Sequence, residues 1–110
     1  MLKNPVRVSV RVKDENGNKK TITHIGRSSF AGNDKIKKIT IPATIKKINN
    51  DAFYQCNNLE EVWILKAETV LDVGMGAFYG CKNLKTIYVG RECEWAEHAI
   101  DKTITNLVEI

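Results

Sequence analysis

Apolar residues return at fixed offsets in this chain, three times over. Counting from Ile22, Ile45 and Val70, apolar or small residues recur at +3, +8, +11, +14, +17 and +19. The first pass reads Ile22, Ile25, Phe30, Asn33, Ile36, Ile39 and Ile41. The second reads Ile45, Ile48, Phe53, Cys56, Leu59, Val62 and Ile64, and the third Val70, Val73, Phe78, Cys81, Leu84, Ile87 and Val89. Only Asn33 breaks the pattern. The units start 23 and 25 residues apart, a period at which each repeat forms one coil of a solenoid. The pattern predicts three stacked coils over 22–89.

Each coil divides in two. The segments Ile36-Lys-Lys-Ile-Thr-Ile41, Leu59-Glu-Glu-Val-Trp-Ile64 and Leu84-Lys-Thr-Ile-Tyr-Val89 end in alternating β-branched positions, which predicts short strands stacked into a parallel sheet. The preceding halves, Asp51-Ala-Phe-Tyr-Gln-Cys56 and Gly76-Ala-Phe-Tyr-Gly-Cys81, are too short for a long helix and predict one tight turn. Phe30, Phe53 and Phe78 then fill the middle of the core, with Ile22/Ile25, Ile45/Ile48 and Val70/Val73 as the opposite wall. A single coil has no second apolar layer and unpaired strand edges, so the coils must stack to be stable.

The flanks read as covers for the two ends. Val6-Arg-Val-Ser-Val-Arg-Val12 alternates strictly and runs into Asn16-Gly17, a strong hairpin turn signal. Residues 6–12 are therefore expected to pair with about 19–25. Beyond the third coil, Glu92–Asp101 is helix-friendly, with Trp95 and Ile100 as core contacts, and the Leu107–Ile110 tail reads as a last strand. The expected organisation is a single domain over 1–110: a cap hairpin at 1–21, three coils at 22–89 and a helix/strand cap at 90–110.

Composition adds three points. With 110 residues, 43% hydrophobic and 27% charged, the chain is an ordinary globular domain, neither disordered nor large enough for two cores. The net charge of +4 hides a polarity: residues 1–50 carry 12 Lys or Arg against 3 Asp or Glu, and residues 51–110 carry 5 against 10. Coil order makes this a gradient from +9 to −5 along the solenoid axis, able to orient partners. The three cysteines form no zinc or disulfide pattern. Cys56 and Cys81 share one offset and are expected to stack as small core hydrophobes, while Cys93 has no equivalent. A disulfide between Cys56 and Cys81 stays open, and no metal or cofactor is expected.

The phrases Ile41-Pro-Ala-Thr-Ile-Lys-Lys-Ile48, Ala52-Phe-Tyr-Gln-Cys-Asn-Asn-Leu59 and Ala77-Phe-Tyr-Gly-Cys-Lys-Asn-Leu-Lys-Thr-Ile-Tyr-Val89 resemble the BspA-type leucine-rich repeat. Its hallmark is Ala-Phe, a Cys three residues after the Phe, then Leu-x-x-Ile-x-Ile-Pro. The second and third coils match well; the first has Ser29 and Asn33 in place of Ala and Cys, and 93–110 resembles the cap that follows such repeats. The resemblance implies a β-rich leucine-rich-repeat solenoid that binds proteins and does not catalyse. Relatives are often bacterial or protist surface proteins implicated in adhesion and host-protein binding. The alternative for so short a chain is a small intracellular inhibitor, encoded by a phage or mobile element, that blocks an enzyme or nucleic-acid complex.

In such repeats the outward side chains of the parallel strands form the usual binding face. Here these are Thr40, Trp63 and Tyr88, flanked by Lys38, Glu61 and Thr86, with Leu65 a further candidate. Trp63 and Tyr88 would anchor a protein partner, since aromatic residues carry much interface energy at low entropic cost, and the charged rim would fix orientation. Alternatively Trp63 packs under a loop of its own chain. Lys35, Lys37, Lys38, Lys46 and Lys47 form a basic set, but one expected to split between two walls, which leaves nucleic-acid binding a lesser reading. Cys93, His98 and Asp101 lie near one another in sequence without the spacing of a tight triad. Self-association through a strand edge is a third kind of partnership. No segment approaches the roughly 20 apolar residues that span a bilayer, and Arg7 and Arg11 interrupt any signal-peptide core. The expected location is secreted or surface-exposed for an excised domain, cytoplasmic for a complete chain.

Overall fold

The structure, a computed structural model, describes residues 6–7, 11–13 and 19–110. Two parallel sheets face each other across one core. The larger has five strands: β1 (Val6–Arg7), β5 (Lys38–Ile41), β7 (Glu61–Ile64), β9 (Thr86–Val89) and β11 (Asn106–Glu109), in that order. The smaller has β4 (His24–Ile25), β6 (Lys47–Ile48), β8 (Leu71–Val73) and β10 (Cys93–Trp95). Each coil passes once through each sheet, so the solenoid has four turns, not three. Its register is regular: Ile39, Val62, Ile87 and Leu107 share one row, and Ile41, Ile64, Val89 and Glu109 another.

The core follows the repeat. Ile39, Ile41, Val62, Ile64 and Ile87 point inward from the large sheet, and Ile25, Ile48 and Val73 face them from the small one. Between the walls, Phe30, Phe53 and Phe78 stack with centroids 5.2 Å apart and rings within 2° of parallel. Coil-to-coil backbone bonds hold the same rows, with the N–H of Phe30, Phe53 and Phe78 donating to Ala52, Ala77 and Ala99 at 2.8 Å. The Phe segments are turns, as their length predicts. A helix is broken on both sides of each ring: residues two before (Ser28, Asp51, Gly76) and two after (Gly32, Gln55, Gly80) adopt positive φ.

Four expectations need correction. The predicted C-terminal helix is absent from 92–101. Cys93–Trp95 instead pairs with Leu71–Val73, because alternation in Cys-Glu-Trp suits the open edge of β8 better than a helix that would leave it bare. Cys93 does have an equivalent, then: it stands in register with Leu71, while Ile100 takes the place of the Phe ring. Val70 is half-buried, and Leu71 fills the wall instead, because β8 keeps Val73 level with Ile48 and strand alternation turns Leu71 to the same side as Val73. Finally, the hairpin is shorter than predicted. β2 (Arg11–Lys13) pairs antiparallel with β3 (Lys19–Thr21), whereas Val6–Arg7 joins β5 in parallel and covers its edge. The predicted Asn16-Gly17 turn lies outside the described residues.

Side chains fasten the coils. The Cys56 thiol donates to the Phe30 carbonyl at 3.1 Å and the Cys81 thiol to the Phe53 carbonyl at 3.0 Å, and both cysteines are free. Hydrogen bonding with Cys56, then burial, pushes the Cys81 thiol up, so it stays a protonated donor. Asn58 and Asn83 donate one coil back, to Asp34 and Asn57 at 2.5 and 2.6 Å. Arg91 reaches further: its buried guanidinium donates to the carbonyls of Ala43 (2.9 Å) and Ile45, tying the start of the fourth coil to the second.

Candidate protein-binding face

Strand alternation decides what the large sheet shows outward. With Ile39, Val62 and Ile87 turned into the core, the residues beside them must point out. The register accordingly aligns Thr40, Trp63 and Tyr88 in one row, and Lys38, Glu61 and Thr86 in the next. All six predicted contact residues thus lie on one face. Lys38 is exposed and the other five are half-buried.

Trp63 and Tyr88 form one slab, their rings 3.9 Å apart and 16° from parallel. The Trp63 indole N–H donates to the Glu61 carboxylate at 2.6 Å, and the Lys38 ammonium lies 3.8 Å from the same carboxylate oxygen. Trp63 therefore packs on the neighbouring coil's face and not under a loop. Its polar atom is satisfied within the face, which leaves the exposed part of the indole aromatic. The Glu61 bridge and the Tyr88 ring together restrain the indole rotamer.

One residue extends the row beyond the sequence prediction: Val108, in register with Tyr88, is 41% exposed. The alternation in Asn106–Glu109 marked a strand, but only the fourth coil makes it the neighbour of Tyr88. Leu65 lies just past β7 and is 40% exposed at the rim. Among the described residues, hollows of about 490, 320 and 330 Å³ lie away from the six residues. The face offers an aromatic strip with charge at one side.

The other candidates separate. Lys38 lies in β5 and Lys47 in β6, so the basic set divides between two sheets. His24 is exposed on β4. Asp101 accepts from the Thr103 backbone N–H and hydroxyl, which holds its carboxyl below the usual range, and His98 takes a left-handed turn position. The Cys93 thiol sits against the core, and burial pushes it up to about 11. Among the described residues no group of His, Cys, Asp or Glu is placed to hold a metal ion, and no helix is long and apolar enough to cross a membrane.

The model of the BspA type leucine rich repeat region (6 copies) matches residues 17–109. The chain belongs to the BspA-type leucine-rich-repeat family. Two crystal structures of leucine-rich repeat proteins share the fold of this repeat protein, each over 94% of its length with a TM-score of 0.65. One, from Bacteroides ovatus, is 25% identical; the other, from Bacteroides capillosus, is 24% identical. This chain spans 29% of the first protein and 75% of the second. Comparison with curated proteins finds no match.

Proposed function

We propose that this leucine-rich-repeat chain is a protein-binding module whose contact surface is the outward face of the five-stranded sheet. The stacked Trp63–Tyr88 slab carries the reading. A pair of adjacent, half-buried aromatics held in one rotamer and flanked by an ion pair has the makeup of an interface centre with a polar rim. Within this reading, adhesion or host-protein binding rests on the family to which the repeats belong.

The test is capture of partners by the wild type beside Trp63→Ala and Tyr88→Ala, with thermal melts of all three. Loss of the slab removes about 0.5–1.5 kcal/mol of ring pairing, so both variants should stay folded with modestly lower melting temperatures. A partner held by the wild type and released by both variants supports the face. Equal capture by all three moves the site elsewhere on the solenoid.

A further inference from the structure

The second and third coils meet the outward face of the large sheet in rows of unlike residues. Trp63 and Tyr88 form the middle row. Two residues further on the ladder continues, with the Leu65 N–H donating to Ile41 and the Gly90 N–H to Ile64. Strand alternation puts Leu65 and Gly90 on the same side as the rings. Leu65 is 40% exposed, whereas Gly90 leaves its place in the row bare. It has to, because a Cβ there would stand 2.6 Å from the Ile64 carbonyl oxygen. At the strand entrances Glu60 and Lys85 follow one another, joined by a bond from the Lys85 N–H to the Glu60 carbonyl, and both are exposed. Among the described residues neither side chain sits in an ion pair.

The second coil therefore offers a knob, a ring and an anion, and the third a gap, a ring and a cation. The two sets run in the same order along the strands, one strand apart, so each complements the other. Consider a two-fold axis in the plane of the face that seats Leu65 of one molecule on Gly90 of another. It must bisect the line between those residues, which places it midway between β7 and β9 and along them. Because the register is regular, the same axis sets Trp63 against Tyr88 and Glu60 against Lys85. One axis satisfies all three rows, and by symmetry each contact forms twice.

We infer that the partner of this face is a second copy of the chain, packed sheet on sheet about a two-fold axis between β7 and β9. The inference rests on the reading of the Trp63–Tyr88 strip as a contact face, and it names the occupant. Four rings and two Leu65 side chains form the centre, while the Glu60–Lys85 pairs at its edge steer the encounter and fix the register. Such a contact is isologous and closes at two copies. The sheet is about 19 Å across its five strands at about 4.8 Å apiece, so the contact is small and the dimer dissociates on dilution.

Sedimentation across a concentration series tests this, with charge exchange at the two exposed positions. The wild type should pass from monomer to dimer and plateau there, and Trp63→Ala should dimerise far more weakly. Glu60→Lys sets a lysine against Lys85 of the second copy, and Lys85→Glu sets a glutamate against Glu60. Each variant alone should therefore dimerise about tenfold more weakly, or worse. A mixture of the two restores both pairs and should dimerise as the wild type does, as should the double variant Glu60→Lys/Lys85→Glu. A wild type that is monomeric at every concentration, a mass that climbs past the dimer, or single exchanges that leave dimerisation unchanged overturns the proposal. That failure is distinct from failure of the face itself. A monomer that captures another protein through Trp63 and Tyr88 retains the contact face and rules out the second copy, whereas a dimer indifferent to Trp63→Ala rules out both.

Discussion

Left-handed backbone positions flank each Phe ring, and not all of them carry glycine. Gln55 sits at φ 53° in the row of Gly32 and Gly80. A side chain there costs roughly 1–2 kcal/mol relative to its preferred backbone region. Gln55→Gly removes that strain but loosens the unfolded chain, so the midpoint of urea unfolding should rise by the equivalent of about 0.5–1 kcal/mol. The reverse change at Gly80 should do harm, because a Cβ there would stand 2.8 Å from the Gln55 Cγ in a backbone already at φ 78°. Cys93 offers a second residue-level test. Burial pushes its thiol up to about 11, above the usual thiol value of 9.0, so the folded state holds the proton more tightly than the unfolded chain. The resulting stability is complete below pH 9 and is lost as pH rises through about 11. At pH 8 alkylation of Cys93 should run about a hundredfold slower than that of an exposed thiol, in line with its smaller thiolate fraction. A rate matching a free thiol would place Cys93 outside the core.

At the scale of elements, the phenylalanine ladder binds turn to turn as the strands bind edge to edge. Phe53 is the middle ring, fully buried and stacked on both sides, whereas Phe30 has one ring neighbour and is half-buried. Phe53→Ala should therefore cost about 3–5 kcal/mol in denaturant unfolding, and Phe30→Ala clearly less. The positions of this ladder, the large-sheet strands and the outward pairing of Trp63 with Tyr88 were legible in the sequence because the offsets repeat with apolar side chains. The fourth coil was not, for the same reason: Ile100 replaces Phe, Thr103 stands three residues later where Cys stood, and the helix-friendly Glu92–Asp101 composition hid a three-residue strand. Short strands take their conformation from the edge they join more than from propensity, and Cys93–Trp95 joins β8. The same holds for Val6–Arg7, whose alternation signals a strand without saying which partner it takes. The Glu61 bridge between Lys38 and the Trp63 indole was out of reach of periodicity, which places residues on a face but does not choose rotamers.

For the whole molecule, stability in a stacked array is a sum over coils and the contacts between them, so the last coil carries more weight than a tail would. The fourth coil closes the third at five places: Leu71 beside Cys93, Val73 beside Trp95, Phe78 beneath Ala99 and Ile100, Leu84 bonded to Thr105, and Ile87 beside Leu107. Four of these five third-coil side chains are at most 1% exposed and Val73 is 2% exposed. Deleting residues 92–110 leaves each bare on one side, forfeiting a share of the about 1.5–3 kcal/mol that burying such a side chain contributes. Five such losses are comparable with the entire 5–15 kcal/mol, roughly, that holds a small domain together. The shortened chain 1–91 should lose its cooperative urea transition, even though all three coils evident from the repeat are still present. A sequence-independent cap would behave otherwise: if 90–110 only shielded the third coil, the deletion would lower the unfolding midpoint slightly and keep a sharp transition. Circular dichroism through a urea series on the two lengths separates these outcomes, and a sharp transition in 1–91 would mean that the third coil closes the core without the fourth.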